Sequence, residues 1–143
     1  MVFLSLFISA FLSATLLPGS SEVLLMLLLN QTDSIETLWA VATLGNVLGS
    51  CVNYSLGRYF LHWQNQRWFP VSKIRLAQGQ AWFNRYGKWS LLLSWLPILG
   101  DPLTMFAGML RLRFGWFLLL VSLGKGARYV LIIGLNYTWL QLV

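Results

Sequence analysis

Four ionisable residues lie in stretches otherwise apolar enough to sit inside a bilayer: Glu22, Asp101, Lys125 and Arg128. A charge at mid-bilayer costs about 2.5–3.5 kcal/mol on insertion scales, so each of the four is a candidate for function. Their formal charges sum to zero, and buried acids and bases must pair or neutralise. Lys125 and Arg128 are three residues apart and share one helix face, so both can point at the same target. Two readings are open. The bases receive a phosphate while the acids, neutralised by protons, couple its movement to a proton gradient; or the four form a structural ion-pair network that holds broken helices together.

Each acid sits beside helix breakers. Pro18 and Gly19 precede Glu22, and Pro97, Gly100 and Pro102 surround Asp101. The stretch Leu91 to Leu110, LLLSWLPILGDPLTMFAGML, is long enough to cross a bilayer, yet its centre lacks donors and helical geometry where lipid cannot replace them. It reads as a hairpin of two half-helices that enters the membrane and returns to the same side, with Asp101 at its tip. Asp101 before Pro102 fits an N-cap followed by proline at the first helical position, and Gly19 with Glu22 fits a helix start with the acid in its first turn. The returning half-helices then aim their positive ends and free N–H groups at the protein centre, where an anion would be held.

The composition says what kind of scaffold positions these groups. The chain has 143 residues, 57% hydrophobic and 10% charged, with eight Trp, and a mean hydropathy of +0.66. This is an integral membrane protein with no room for a separate soluble domain of ordinary size. The net charge of +6 sets topology and favours anionic headgroups; no basic run with an aromatic platform points to nucleic acid. Cys51, the single cysteine, reads as packing. The N-terminal apolar run Val2 to Leu17 has no basic n-region and resumes after Gly19, so it is expected to stay in the mature protein. An enzyme is not expected: His62 lies in a polar loop away from any serine–acid pair, no metal motif exists, and no cofactor is implied.

Along the chain, one domain (1–143) divides into a first repeat at about 1–60, a basic loop at about 61–84 and a second repeat at about 85–143. Asn30 to Thr37 is a short connection holding Asp33 and Glu36 and no base. Leu38 to Phe60 is an apolar segment in which Gly45 and Gly49 form a GxxxG spacing that admits a close helix. Arg58 to Lys88 carries Arg58, Arg67, Lys73, Arg75, Arg85 and Lys88 with no acid, and is therefore expected on the cytoplasmic side. Trp63, Trp68, Phe69, Trp82 and Phe83 among those bases suit a segment at headgroup level. Arg111 and Arg113 follow the broken stretch. A single crossing would put them opposite the basic loop; re-entry puts all these bases on one face, as the charge rule favours. Phe114 to Trp139 then crosses once, with Lys125 and Arg128 about halfway.

An offset of 79 relates the halves without gaps: Pro18 to Pro97, Glu22 to Asp101, Met26 to Met105, Gly45 to Gly124. The proline, acid and glycine carry the weight, since leucine matches come freely here. The first hairpin closes onto acidic residues and the second onto basic ones, so the halves should insert with opposite sense, as in many transporters. The expected fold is an all-α membrane protein of two inverted repeats, each a re-entrant broken hairpin followed by a transmembrane helix.

At FLSATLLPGSSEVLL (11–25), GNVLGSCVNYSLGR (45–58) and above all RYGKWSLLLSWLPILGDPLTMFAGMLR (85–111), the chain resembles the DedA superfamily, also called the SNARE-associated or VTT-domain family, in its small bacterial YqaA-type branch. The resemblance implies a multi-pass inner-membrane protein that moves phospholipids or polyprenyl-phosphate carriers, with Glu22 and Asp101 as its membrane-embedded acids. Larger members resemble one another in arginines flanking the second hairpin proline; here Ser94 and Gly100 stand there, leaving Arg111, Lys125 and Arg128 as substitutes for phosphate contact. The expected activity is lipid or lipid-carrier translocation. A proton-coupled carrier of a small solute, and a non-transporting membrane-integrity or assembly factor, are the alternatives. The expected partners are membrane lipids, with a homodimer as one way for so short a chain to enclose a path.

Overall fold

A computed structural model describes residues 1–15, 19–60, 73–96 and 100–143; the side chains of Phe60, Lys73, Arg75, Leu76, Asn84, Lys88, Trp95, Asp101 and Pro102 are not included. Pro18, His62, Trp63, Arg67, Trp68, Phe69 and Pro97 lie outside the described residues. Every described element is helical: α1 (Val2–Thr15), α2 (Ser20–Leu29), α3 (Ile35–Phe60), α4 (Lys73–Tyr86), a 3₁₀ segment (Gly87–Trp95), α5 (Gly100–Met109) and α6 (Phe114–Leu142).

Length sorts these elements. At 1.5 Å per residue the 26 residues of α3 and the 29 of α6 run about 39 Å and about 43 Å, enough for a hydrocarbon core about 30 Å thick. They are the two described helices long and apolar enough to cross a membrane. The 14 residues of α1 and the 10 each of α2 and α5 fall short of the about 20 that a crossing needs. The spacing of 79 reappears in the long helices, which open at Ile35 and Phe114, and the ten-residue helices before them begin one residue off it, at Ser20 and Gly100.

The basic stretch between the repeats holds more structure than its polarity foretells. From Lys73 to Trp95 the chain is helical throughout, so the arm leading to Pro97 begins well before Trp89. Within it the Trp82 and Tyr86 rings meet at 4.5 Å with their planes tilted by 47°, and the Arg85 guanidinium lies 5.4 Å from the Tyr86 ring.

Small residues set the packing, because apolar area alone does not draw helices together in lipid. The GxxxG on α3 seats α1: a Cβ at Gly45 would lie 2.6 Å from the Phe7 carbonyl oxygen, and one at Gly49 would lie 2.6 Å from the Ala14 Cβ. A second seam joins α3 to α5, with Gly57 against the Met105 carbonyl and Gly108 against the Tyr54 carbonyl, and neither glycine has room for a side chain. On α6, Gly126 lies beneath the Trp39 ring, whose Nε1 donates to the Gly126 carbonyl at 3.0 Å.

Two apolar clusters occupy opposite ends of α3. Toward its start, Leu6 of α1 and Leu25 and Leu28 of α2 pack with Leu38 and Ala42. Toward its end, Tyr54 packs with Phe83, Leu91, Ala107, Phe117 and Val121. Charge follows the same division. Asp33 and Glu36 flank the start of α3, and Arg58 occupies its last turn. The turn bearing Arg111 and Arg113 is tied to that basic end by the Tyr54 hydroxyl, which donates to the Leu112 carbonyl. This turn closes α5 with Arg111 in the left-handed region (φ 55°) and N–H bonds from Leu112 to Ala107 and from Arg111 to Gly108, both 3.1 Å. It is a Schellman cap, whose left-handed position glycine usually fills.

Candidate functional site, a buried polar layer at mid-bundle

Between the apolar clusters, α3 presents Asn46, Ser50 and Asn53, all buried, on one face. Opposite them on α6 lie Lys125, Arg128 and Tyr129, respectively 1%, 9% and 1% exposed. Arg128 stands about 21 Å along α6 from its first residue, near the helix midpoint.

The first of the two ten-residue helices, α2, reaches this layer by its N-terminus. Gly19 adopts φ 94°, a left-handed conformation open to glycine at little cost, and α2 starts at the next residue. Glu22 falls in the first turn, where the helix dipole favours a carboxylate. Its Oε1 forms an ion pair with the Arg128 guanidinium. One residue earlier, the Ser21 hydroxyl lies 2.9 Å from the Tyr129 hydroxyl, which also accepts from Asn46 Nδ2 at 3.0 Å. Thus α2, α3 and α6 are joined at a single phenol.

The same layer receives α1 and α5. Asn53 Nδ2 donates to the Ala14 carbonyl at 2.8 Å, satisfying one of the carbonyls left open at the end of α1. It also faces the buried Thr104 hydroxyl of α5 at 3.5 Å. The backbone of Gly100, Asp101 and Pro102 forms the start of α5, about one turn before Thr104; the side chain of Asp101 is outside the description.

Besides Glu22 Oε1, which meets Arg128 only as an ion pair, three buried side-chain atoms have no hydrogen-bond partner among the described residues: Thr43 Oγ1, Asn46 Oδ1 and Ser94 Oγ. At Asn46 and the neighbouring Thr43 the layer can therefore offer an amide oxygen and a hydroxyl besides its charges. Among the described residues no group of His, Cys, Asp and Glu gathers as a metal would require.

Of the residues singled out in sequence, Glu22 and Arg128 meet, Lys125 is buried in the same layer, and Gly19 and Gly100 open the two short helices. Arg111 is elsewhere, exposed in the turn at the basic end. Sequence reading missed Ser21, Asn46, Asn53, Thr104 and Tyr129. A signal was present in α3, where Asn46, Ser50 and Asn53 recur at intervals of four and three within an apolar helix. The repeats are also chemically unequal at this level: at the offset of 79, Asn46 and Gly49 of α3 correspond to Lys125 and Arg128 of α6.

A family model described as the VTT domain matches residues 17–138. The chain belongs to the VTT-domain family. It is 44% identical over 127 residues to "Inner membrane protein YqaA" of Escherichia coli (strain K12), a match covering 88% of this chain and 84% of the relative. The protein of the same description from Shigella flexneri matches to the same extent. A Haemophilus influenzae protein described only as uncharacterized is 41% identical over 143 residues, covering 94% of this chain and 87% of its own length. No solved structure matches. The VTT match runs from just before Gly19 almost to the end of α6, so it takes in the whole polar layer except the contribution of α1.

Proposed function

We propose that this VTT-domain membrane protein translocates a phospholipid or polyprenyl-phosphate carrier, with proton binding at Glu22 linked to release of Arg128. The observation that carries the reading is the Glu22–Arg128 ion pair, held near the midpoint of a helix long enough to span the bilayer. A carboxylate already paired with a base in apolar surroundings is ready for exchange. Protonating Glu22 frees the guanidinium, and a lipid phosphate can then take the carboxylate's place by a two-point charge-assisted contact. Lys125, one turn away, adds a second positive charge on the same face.

The reading rests on an arrangement of the helices as an inverted pair of re-entrant hairpins, which is itself part of the proposal. Leu6 near the start of α1 and Leu28 near the end of α2 share the cluster at the acidic end, whereas Phe83 before the second break and Ala107 after it share the cluster at the basic end. The starts of α2 and α5 then fall near the polar layer, with the first pair opening toward Asp33 and Glu36 and the second toward Arg111 and Arg113. The orientation follows from the charge rule, with the basic end cytoplasmic.

A lipid substrate is preferred to a small solute because the described cavities open on the outer faces of the helices, among exposed residues such as Leu48, Val52 and Leu56. The deciding experiment reconstitutes the protein in liposomes with labelled phospholipid and an imposed proton gradient. Gradient-dependent movement that is lost in Glu22→Gln at normal protein level is the expected result. No movement of any lipid by the unaltered protein removes the reading; loss of the protein itself in Glu22→Gln assigns the pair a structural role.

A further inference from the structure

Away from the polar layer, the outward side of α3 carries two cavities that share a wall. One, of about 380 Å³, is bounded by Arg58, Tyr54 and Phe114; the other, of about 650 Å³, runs past Leu48, Val52 and Leu56 beside Phe11 of α1. Ser55 and Tyr59 line both, so the two form one continuous track. Its ends differ in chemistry. At the basic end stands an exposed guanidinium that makes no ion pair among the described residues, among three aromatic rings. The other end is apolar apart from the Cys51 thiol and the Ser55 hydroxyl, and that hydroxyl is turned to its own helix, donating to the Cys51 carbonyl at 2.9 Å.

The dimensions fit one kind of occupant. From Tyr59 to Leu48 the track covers 11 helical steps, about 16 Å, close to half of a hydrocarbon core about 30 Å thick. One acyl chain of one leaflet has that reach. Leu48, Val52, Leu56 and Tyr59 recur at helical spacing and face outward, 47%, 38%, 40% and 55% exposed. Aromatic rings with an arginine at a helix end mark the headgroup level. No acid lines either cavity, so the electrostatic preference is for an anion.

We propose that this track on α3 is a binding site for a single anionic phospholipid of the leaflet at the basic end, with its phosphate on Arg58 and an acyl chain along Leu56, Val52 and Leu48. The site needs α3 to span the bilayer, and it stands whether or not the protein translocates lipid. Under the function proposed above, it is where a substrate lipid waits before reaching the polar layer.

The test measures lipid retention on the purified full-length protein by native mass spectrometry, using phosphatidylglycerol and phosphatidylcholine of identical chains. Phosphatidylglycerol should be retained about fivefold better, as one arginine near a membrane surface provides. Arg58→Gln should bring that preference close to one, and Arg113→Gln, a base at the same end outside the track, should leave it. Val52→Trp and Leu56→Trp, which fill the apolar part at exposed positions, should each lower retention of both lipids, with unchanged melting in detergent as the check on folding. Equal effects of Arg58→Gln and Arg113→Gln, or full retention in both tryptophan variants, would overturn the site. Retention with this pattern alongside no lipid movement in liposomes would count against translocation and leave the track standing.

Discussion

Arg128, near the midpoint of the last helix, forms an ion pair with Glu22, three residues beyond the left-handed Gly19 at which the first broken segment turns. The pair spans 106 positions in sequence and joins α2 to α6. Removing one partner leaves a mostly buried charge without its counter-ion, at a cost of up to about 3–5 kcal/mol. Glu22→Gln and Arg128→Gln should each lower the melting temperature in detergent, and the double variant should lose less than the sum of the two. Additive losses would show that the two side chains do not depend on each other.

The opposite sense proposed for the two broken segments is directly measurable. In a Cys51→Ser background, cysteines placed at Val2 and Thr32 should react with an impermeant maleimide from one side of the membrane. Cysteines at Gln78 and Arg113 should react from the other side, because α1 and α2 open at the acidic end and α4 and α5 at the basic end. Val2 and Thr32 labelled from opposite sides would mean that the first segment crosses.

The seam between α3 and α5 depends on two glycines at once. A methyl group on Gly57 or on Gly108 meets the backbone of the facing helix, which cannot fold away as a flexible side chain can. Gly108→Ala and Gly57→Ala should each destabilise the protein by about 1–3 kcal/mol, as overpacking does, and Gly115→Ala, with nothing nearby, should be close to neutral. Thermal unfolding in detergent separates these outcomes.

That seam also illustrates how far the sequence could be read. Gly45 and Gly49 were legible because their spacing lies within one helix, and α1 does occupy the groove they leave. Gly57 and Gly108 were not, since they meet only through the tertiary approach of helices distant in sequence. Charge behaved in the same way. Four ionisable residues stood out against an apolar background, and Glu22 and Arg128 among them form an ion pair. Tyr129 did not stand out, because a tyrosine in an apolar helix signals nothing until Ser21 and Asn46 are found on its hydroxyl. The polarity of residues 58–88 concealed α4, whose surface is mostly exposed and whose sequence therefore carries only a weak apolar stripe.

Tyr129 offers a way to separate architecture from transport. Tyr129→Phe keeps the ring in its cluster and removes the hydroxyl shared by Ser21 and Asn46. Interhelical hydrogen bonds in membranes average about 0.6 kcal/mol and reach about 1.7 kcal/mol, so the stability loss should be small. The start of α2 would nevertheless lose a tether beside Glu22. Liposome assays should show reduced lipid movement at nearly unchanged melting temperature; unchanged movement would place the tether outside the transport path.

Arg111 poses the converse question, of a residue kept where its backbone disfavours it. It occupies the left-handed position of the cap on α5, φ 55°, with its N–H bonded to the Gly108 carbonyl. An L-residue pays about 1–2 kcal/mol for that conformation, whereas glycine adopts it freely but brings a more flexible unfolded chain, worth roughly 0.5–1 kcal/mol against it. Arg111→Gly should therefore leave stability unchanged or raise it by about 1 kcal/mol. Arg111→Ala keeps the left-handed cost while removing the guanidinium, and should be no more stable than the parent. If the guanidinium at this position attracts lipid phosphate, both variants lose lipid movement although only one of them gains stability. A parallel change of activity and stability across the pair would instead assign Arg111 to the cap alone.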